Sequence, residues 1–375
     1  MSASGLASTP RPAAPAAGPA RVMLVDDSSV SRALMTRWIE ENGAGQVVAT
    51  AANGRAAVEA LAVHRVEVVV LDIEMPEVDG LTALPRLLAA QPGLQVLMAS
   101  TLSQHGASVT LQALRLGAAD AIGKPRAGWA LGTGNDFRTE LAAKVRALGA
   151  VARRRPGAPA PEVPTLPPGT PEPTLNRAAP STQRPRAIVI GASTGGPNAL
   201  FRLVELLPRD VDVPIFVTQH MPPTFTTILA DHLARHGRRP AHEAEDGMPA
   251  QPGHVYIAPG GRHLSLAGSP DHVRLIVSDE EPENFCRPSV NPLMRSAARL
   301  YGDGALGIML TGMGSDGLEG ARELVRAGGT LVAQDQTSSV VWGMPGSVVR
   351  AGLAAEVLPL DDIAAFIGQK LKAAR

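Results

Sequence analysis

Gly191-Ala192-Ser193-Thr194-Gly195-Gly196 follows the apolar run Ala187–Ile190. The G-x-S-x-G spacing allows a turn too tight for a Cβ and can present the Ser193 hydroxyl at the end of a strand. The N–H groups after Ser193 open a helix, where a developing oxyanion is favoured. A Gly-rich strand-to-helix turn also serves phosphates and dinucleotides, so the turn alone leaves both chemistries open. A serine nucleophile needs a base, and the base needs an orienting group. Gln219-His220-Met221-Pro222 follows the apolar run Pro214–Thr218 and supplies His220 at another strand end. Leu310-Thr311-Gly312-Met313-Gly314-Ser315-Asp316-Gly317 follows Ala305–Leu310 and supplies Asp316. Each has a plainer reading, His220 as a structural histidine and Asp316 as the N-cap of the next helix. On the functional reading, Asp316 fixes the tautomer of His220, which deprotonates Ser193. The chain order Ser, His, Asp departs from the Ser, Asp, His order of ordinary α/β-hydrolases and disfavours that family.

A second constellation lies upstream. Asp26 and Asp27 follow one apolar run, Asp72 ends another, and Lys124 precedes Pro125. Brought to one mouth, three carboxylates repel one another, and a hard divalent cation such as Mg2+ relieves that repulsion. A metal-neutralised aspartate can attack a phosphoryl group to form an acyl phosphate. Lys124 would pair with the phosphoryl oxygens, and Ser100 or Thr101 offers a hydroxyl that follows the new charge. Any one of these aspartates is readily a helix cap; all of these positions together are not.

The elements that must carry these residues alternate. In the first half, Val22–Val25, Gln46–Ala49, Val66–Leu71, Gln95–Ala99 and Asp120–Ile122 read as strands separated by helical patterns, with a last helix over Phe137–Leu148. This predicts an α/β fold, a doubly wound parallel sheet with its sites at the carboxyl ends of strands. The second half repeats the grammar. Ala187–Ile190, Pro214–Thr218, His254–Ile257, Val273–Val277, Ala305–Leu310 and Gly329–Ala333 are its strand candidates. His263–Leu266 and Val273–Val277 suggest a short antiparallel pair, so a mixed, mostly parallel doubly wound sheet with helices on both faces is expected.

Composition bounds the rest. At 375 residues the chain exceeds one ordinary core. Between Arg153 and Pro185 there are ten prolines and no aromatic residue, the signature of a semi-rigid linker. Lys plus Arg equals Asp plus Glu at 35 each, which gives no electrostatic reason to expect nucleic acid or membrane binding. No basic helix-turn-helix region argues for a DNA-binding output. The single cysteine, Cys286, excludes an intrachain disulfide and suits a reducing compartment; nothing near it in sequence pairs it as a nucleophile. No apolar run is long enough for a spanning helix. The first 20 residues, rich in Ala and Pro, lack the pattern of a secretory signal and read as a disordered tail, so a cytoplasmic location is expected. His232 and His236 have a spacing that can bind a metal, but without a third ligand they read as a solvated helix face. Asp335–Ser338 reads as a loop at a further strand end that could line the cleft.

The upstream motifs resemble the receiver domain of bacterial response regulators over about residues 20–148. They are Val25-Asp26-Asp27-Ser28, Leu71-Asp72-Ile73-Glu74-Met75-Pro76-Glu77-Val78-Asp79-Gly80 and Gly123-Lys124-Pro125. The resemblance implies a flavodoxin-like fold, phosphorylation of Asp72 by a chemosensory histidine kinase, and Mg2+ held by Asp26, Asp27 and Asp72. It makes Ser100 and Lys124 the switch residues. The downstream motifs resemble the catalytic domain of chemotaxis protein-glutamate methylesterases over about residues 185–372. To the three strand-end segments they add Ala258-Pro259-Gly260-Gly261 with His263, and Arg287-Pro288-Ser289-Val290-Asn291-Pro292. That resemblance implies hydrolysis of glutamyl methyl esters on the cytoplasmic domains of methylated chemoreceptors, releasing methanol, and deamidation of receptor glutamines. It makes Ser193 the nucleophile, His220 the base and later the acid, and Asp316 the orienting carboxylate. The Met313 N–H becomes an oxyanion donor and Thr194 shapes the turn. No cofactor is expected in the esterase domain. The expected organisation is a tail (1–20), a receiver domain (21–149), a linker (150–185) and a catalytic domain (186–373). It also implies that the unphosphorylated receiver covers the esterase site. The competing reading is a C-terminal ligand-binding module regulated by the receiver, which would have no need of His220 and Asp316.

Overall fold

The computed structural model describes residues 18–101, 103–124, 134–153 and 181–372. Most of the expected tail, Pro125, most of the Pro-rich linker and the last three residues lie outside the described residues.

The first sheet contains β1 (Ala20–Val25), β2 (Gly45–Ala51), β3 (Val68–Asp72), β4 (Gln95–Thr101) and β5 (Asp120–Lys124), in the order β2-β1-β3-β4-β5. Every pairing is parallel. Helices α1 (Ser29–Glu41), α2 (Gly54–Leu61), α3 (Gly80–Ala90), α4 (Gln104–Arg115) and α5 (Gly134–Ala152) separate and follow the strands. The buried run of β3 reads as continuous apolar sequence because helices cover both faces. Helix starts follow from local chemistry: Ser28, Asn53, Asp79 and Ser103 each accept a hydrogen bond from an N–H of the first turn.

The second sheet has seven strands. They are β6 (Ala187–Ala192), β7 (Ile215–Gln219), β8 (Ala241–Glu243), β9 (Val255–Ile257), β12 (Ala305–Met309), β13 (Thr330–Gln334) and β14 (Glu356–Leu358), ordered β14-β13-β12-β6-β7-β9-β8. This sheet is wholly parallel rather than mixed. The antiparallel pair, β10 (His263–Ser269) with β11 (His272–Ser278), stands outside it as a separate hairpin. Its alternating burial along β11 shows why: only one face is covered, whereas β6, β7 and β12 are buried on both. Helices α6 (Gly196–Leu206), α7 (Phe225–Gly237), α8 (Val290–Tyr301), α9 (Leu318–Arg326), α10 (Met344–Arg350) and α11 (Leu360–Lys372) complete this half. The chain builds outward from β6 in one direction and returns to β12 on the other side. The carboxyl ends of β6 and β12 therefore border a topological switch point, where α/β folds place their sites.

The two halves touch. Helix α4 packs against α6 and α7. Asn198 Nδ2 donates to the Ala118 carbonyl at 2.9 Å. Arg115 lies 3.8 Å from the Glu205 carboxylate, contacts His236 and stands over the Phe201 ring at 5.9 Å. At the same border Lys144 is buried against the Asp120 carboxylate, with Glu140 at 3.5 Å. Burial alone would lower the Lys144 pKa, but Asp120 and Glu140 raise it and keep the ammonium charged. Lys144→Ala would strand Asp120 as a buried, unpaired carboxylate, a loss of about 3–5 kcal/mol. Urea unfolding of the full chain checks this; a shift below about 1 kcal/mol would show that water already serves Asp120.

Candidate active site

Ser193, His220 and Asp316 leave neighbouring strands at one level. In the β6–β7 register Ala192 faces Gln219, so Ser193 and His220 are the next residues out. The β6–β12 register ends with Met309 opposite Gly191, and the Ser193 N–H then donates to Thr311 O at 3.0 Å. The elbow is held from three sides. Gln219 Nε2 donates to Ser193 O at 3.0 Å, Gly196 N–H donates to the same carbonyl at 2.7 Å, and Thr311 Oγ1 donates to Thr194 O at 2.9 Å. Gly195 turns with φ 75°, and a Cβ there would fall 2.6 Å from Val340, so this position requires glycine twice over. Gly312 lets the β12 turn approach Ser193: a Cβ on it would sit 3.0 Å from Ser193 Cβ.

His220 Nε2 and Asp316 Oδ2 are 2.8 Å apart. Asp316 is buried and also accepts from Ser289 Oγ at 2.6 Å, from the Val290 N–H at 2.7 Å and from Asn284 Nδ2 at 3.2 Å. These bonds settle the competing reading of Asp316. It does not cap α9, whose N-cap is Gly317 with no side-chain bond; it reaches instead to the N-terminus of α8, where the helix dipole favours an anion. Burial by itself would raise the Asp316 pKa, but the bonds from His220, Ser289 and Val290 hold it below the ordinary value.

The Ser193 hydroxyl has no hydrogen-bond partner among the described residues. The second nitrogen of His220 faces Cys286, with Nδ1 to Sγ at 3.7 Å. Cys286 thus has a partner that its sequence neighbours do not supply: the tight turn over Glu283–Cys286 leaves its thiol beside His220, just beyond β7. Ser289, Asn284 and Cys286 belong to the site although sequence reasoning did not assign them roles. His263 supports them: its Nδ1 accepts from the Ser289 N–H and its Nε2 donates to Glu281 O. Met313 and Thr194 lie on the two turns that flank Ser193. The Asp335–Ser338 loop is closed on itself by Ser338 bonds to Asp335 Oδ1. His232 and His236 are not a solvated face; their rings lie 6.2 Å apart in the border with α4, where the Arg115 charge opposes a bound cation.

Burial lowers the His220 pKa, but the Asp316 and Cys286 contacts outweigh it and raise it to about 9. An imidazolium cannot accept a proton from a nucleophile, so a raised His220 pKa moves the onset of base catalysis upward in pH. The ascending limb of kcat/KM against pH for the unphosphorylated chain is therefore expected above neutrality, and Cys286→Ser should move it to lower pH. Limbs below pH 7 in both proteins would contradict the assignment.

The upstream residues also converge. Lys124 Nζ bridges Asp26 Oδ2 and Asp72 Oδ2, each at 2.7 Å. Asp26 and Asp72 are buried, Asp27 is exposed, and oxygens of all three lie within 4.8 Å of one another. Burial raises the Asp72 pKa, Lys124 opposes this, and Asp26 adds to the rise. Three carboxylates against one ammonium, all oxygen donors, fit a hard divalent cation. Ser100 is fully buried beside them and donates to Thr101 O at 3.1 Å.

Comparison with known proteins agrees with this geometry. A family described as CheB methylesterase matches residues 188–367, and the response regulator receiver domain family matches residues 22–131. The chain is 47% identical over 366 residues to a protein-glutamate methylesterase/protein-glutamine glutaminase of Rhodospirillum rubrum, covering 93% of this chain and 95% of that protein. It is 47% identical over 362 residues to the enzyme of the same name from Azospirillum brasilense, covering 93% and 92%. The crystal structure of the Thermotoga maritima CheB methylesterase catalytic domain aligns with 49% of this chain and 98% of its own, at 40% identity and a TM-score of 0.48. With similarity of this order over more than nine tenths of its length, the chain belongs to the protein-glutamate methylesterase/protein-glutamine glutaminase family, with a receiver domain ahead of its catalytic domain.

Proposed function

We propose that Ser193, His220 and Asp316 carry out the hydrolysis of glutamyl methyl esters on chemoreceptors, and that phosphorylation of Asp72 controls access to them. The chain is a phosphorylation-activated protein-glutamate methylesterase and protein-glutamine glutaminase of chemosensory adaptation. The observation that carries the residue assignment is the His220–Asp316 pair standing beside the Ser193 elbow at the β6–β12 switch point.

In the reaction Ser193 Oγ attacks the ester carbonyl while the His220 nitrogen opposite Asp316 takes its proton. The oxyanion is received by the N–H groups of Met313 and Thr194. The C–O bond to methoxide breaks, and His220 returns the proton so that methanol leaves. Water then attacks the acyl-enzyme by the same proton route and frees the glutamate. A glutamine side chain would lose ammonia instead. Asp316 keeps the proton on His220 Nε2 and stabilises the imidazolium. The Nδ1 that serves Ser193 now contacts Cys286, so Ser193 must take the place of the thiol at that nitrogen for catalysis while Nε2 keeps its bond to Asp316.

The gate follows from the border between the halves. A small crevice is lined on one side by Ile122, Gly123 and Lys144 and on the other by His220, Met221 and Pro222. The same β5 ends in Lys124, which bridges Asp26 and Asp72. α4 is capped by Ser103, two residues beyond Thr101. A phosphoryl group on Asp72 would compete for Lys124 and draw on the Ser100 hydroxyl, moving β5 and the start of α4 against α6 and α7. Mg2+ bound by Asp26, Asp27 and Asp72 would supply the charge neutralisation that lets the carboxylate approach a phosphodonor.

We divide the chain into a receiver domain at 21–149, a linker at 150–185 and a catalytic domain at 186–373. The phosphodonor in this reading is a chemosensory histidine kinase and the substrate a receptor cytoplasmic domain. Among the described residues no helix is long and apolar enough to cross a membrane. We place the chain in the cytoplasm, where both partners expose their signalling parts. Methanol released from a methylated receptor fragment, measured with and without an acyl phosphate, tests the function. Absence of methanol under both conditions would refute it.

A further inference from the structure

Cys286 and His220 lie close enough to share one metal ion. The Sγ to Nδ1 separation is 3.7 Å. Zn–N and Zn–S bonds of about 2.0–2.1 and 2.3 Å at a tetrahedral angle span roughly 3.6 Å between the two ligand atoms. On the far side of the ring, Asp316 Oδ2 lies 2.8 Å from Nε2. A carboxylate behind a histidine is the outer-shell partner that fixes the tautomer of a metal-bound imidazole and raises its basicity. Asp316 already accepts from Ser289, Val290 and Asn284, so it stays behind the ring as support. His220, Cys286 and Asp316 come from three separated segments, and their ligating atoms lie within 4.8 Å of one another. The site is reachable: Cys286 is partly exposed, next to the fully exposed Phe285.

We propose that Cys286 and His220 hold a thiophilic divalent cation of the Zn2+ type, and that its binding shuts the esterase. The nitrogen that takes the metal is the one that must receive the Ser193 proton, so metal binding and catalysis exclude each other. Metal ligation requires a thiolate and a bare Nδ1, so whatever protons these two atoms carry are released to solvent as the two metal–ligand bonds form. Two coordination positions remain for water. The softer S,N donor set separates this site from the all-oxygen site at Asp26, Asp27 and Asp72, so Mg2+ serves the receiver without inhibiting the esterase.

The inference rests on the reading of His220 as the base, and its test has a readout that does not depend on activity. Co2+ is titrated into the full chain, with Cys286→Ser and His220→Gln alongside. One thiolate-to-cobalt charge-transfer band per chain is expected in the parent protein and none in either variant. Co2+ held by histidine pairs elsewhere gives no such band. In parallel, methanol release is followed as Zn2+ is raised at constant Mg2+, with each protein compared with its own zinc-free rate. Inhibition reversed by a chelator and at least tenfold weaker in Cys286→Ser supports the proposal. Absence of the band, or equal inhibition in Cys286→Ser, overturns it while leaving ester hydrolysis intact. A band with undiminished methanol release at saturating Zn2+ overturns the inhibitory role and counts against His220 as the base. A metal-free parent protein that releases no methanol would instead refute the underlying esterase reading.

Discussion

Ser193→Ala should lower methanol release from a methylated receptor fragment by about 10^3-fold or more, because the acyl-enzyme route disappears while the oxyanion donors and substrate contacts remain. The fold should not notice the change. The Ser193 hydroxyl has no partner among the described residues, and what anchors this position is its backbone: its N–H to Thr311 and its carbonyl from Gly196 and Gln219. An unchanged melting temperature with lost activity is therefore the expected pair of results. Retention of more than about a tenth of the rate would remove Ser193 from the reaction.

Asp72→Asn should abolish the response to an acyl phosphate. An amide cannot become the acyl phosphate, and the substitution removes one of the three carboxylates that make the site attractive to Mg2+. Lys124 keeps Asp26 as its partner, so the closed arrangement survives and the basal rate should stay close to that of the parent protein. For the parent protein, a coupling of about 1–3 kcal/mol between phosphorylation and opening corresponds to a 5–150-fold rise. The measurement is the ratio of initial rates with and without acyl phosphate at saturating Mg2+. A ratio above one in Asp72→Asn that matches the parent would place the switch elsewhere.

The doubly wound halves were legible because their strands are short apolar runs and their turns carry Gly, Asp and Ser at strand ends. Strand order was less so. That the second sheet is wholly parallel depends on the hairpin β10–β11 leaving it, and the alternation in Val273–Val277 shows one covered face without saying which sheet it joins. The strands β8 and β14 have three residues each, too few for a period to show. In the site, Ser193 and His220 could be read as candidates because each directly follows an apolar strand, and Asp316 because it is the one carboxylate in the Gly-rich turn after β12. The neighbours of Asp316 could not. Ser289 and Asn284 approach it from 27 and 32 residues away, through a loop without periodicity. The neighbour of Cys286 is out of reach of sequence reading for the same reason: His220 is 66 residues distant, and only the fold brings the two within 3.7 Å.

The central claim is a serine nucleophile whose access depends on the receiver. It is tested most directly by reacting the full chain with a glutamyl peptide that carries a fluorophosphonate in place of the methyl ester, and mapping the covalent adduct by mass spectrometry. The account predicts one adduct per chain, on Ser193, forming faster in the presence of acyl phosphate and Mg2+, with no such acceleration in Asp72→Asn. An adduct on another residue, or labelling of Ser193 at a rate indifferent to phosphorylation, would contradict it.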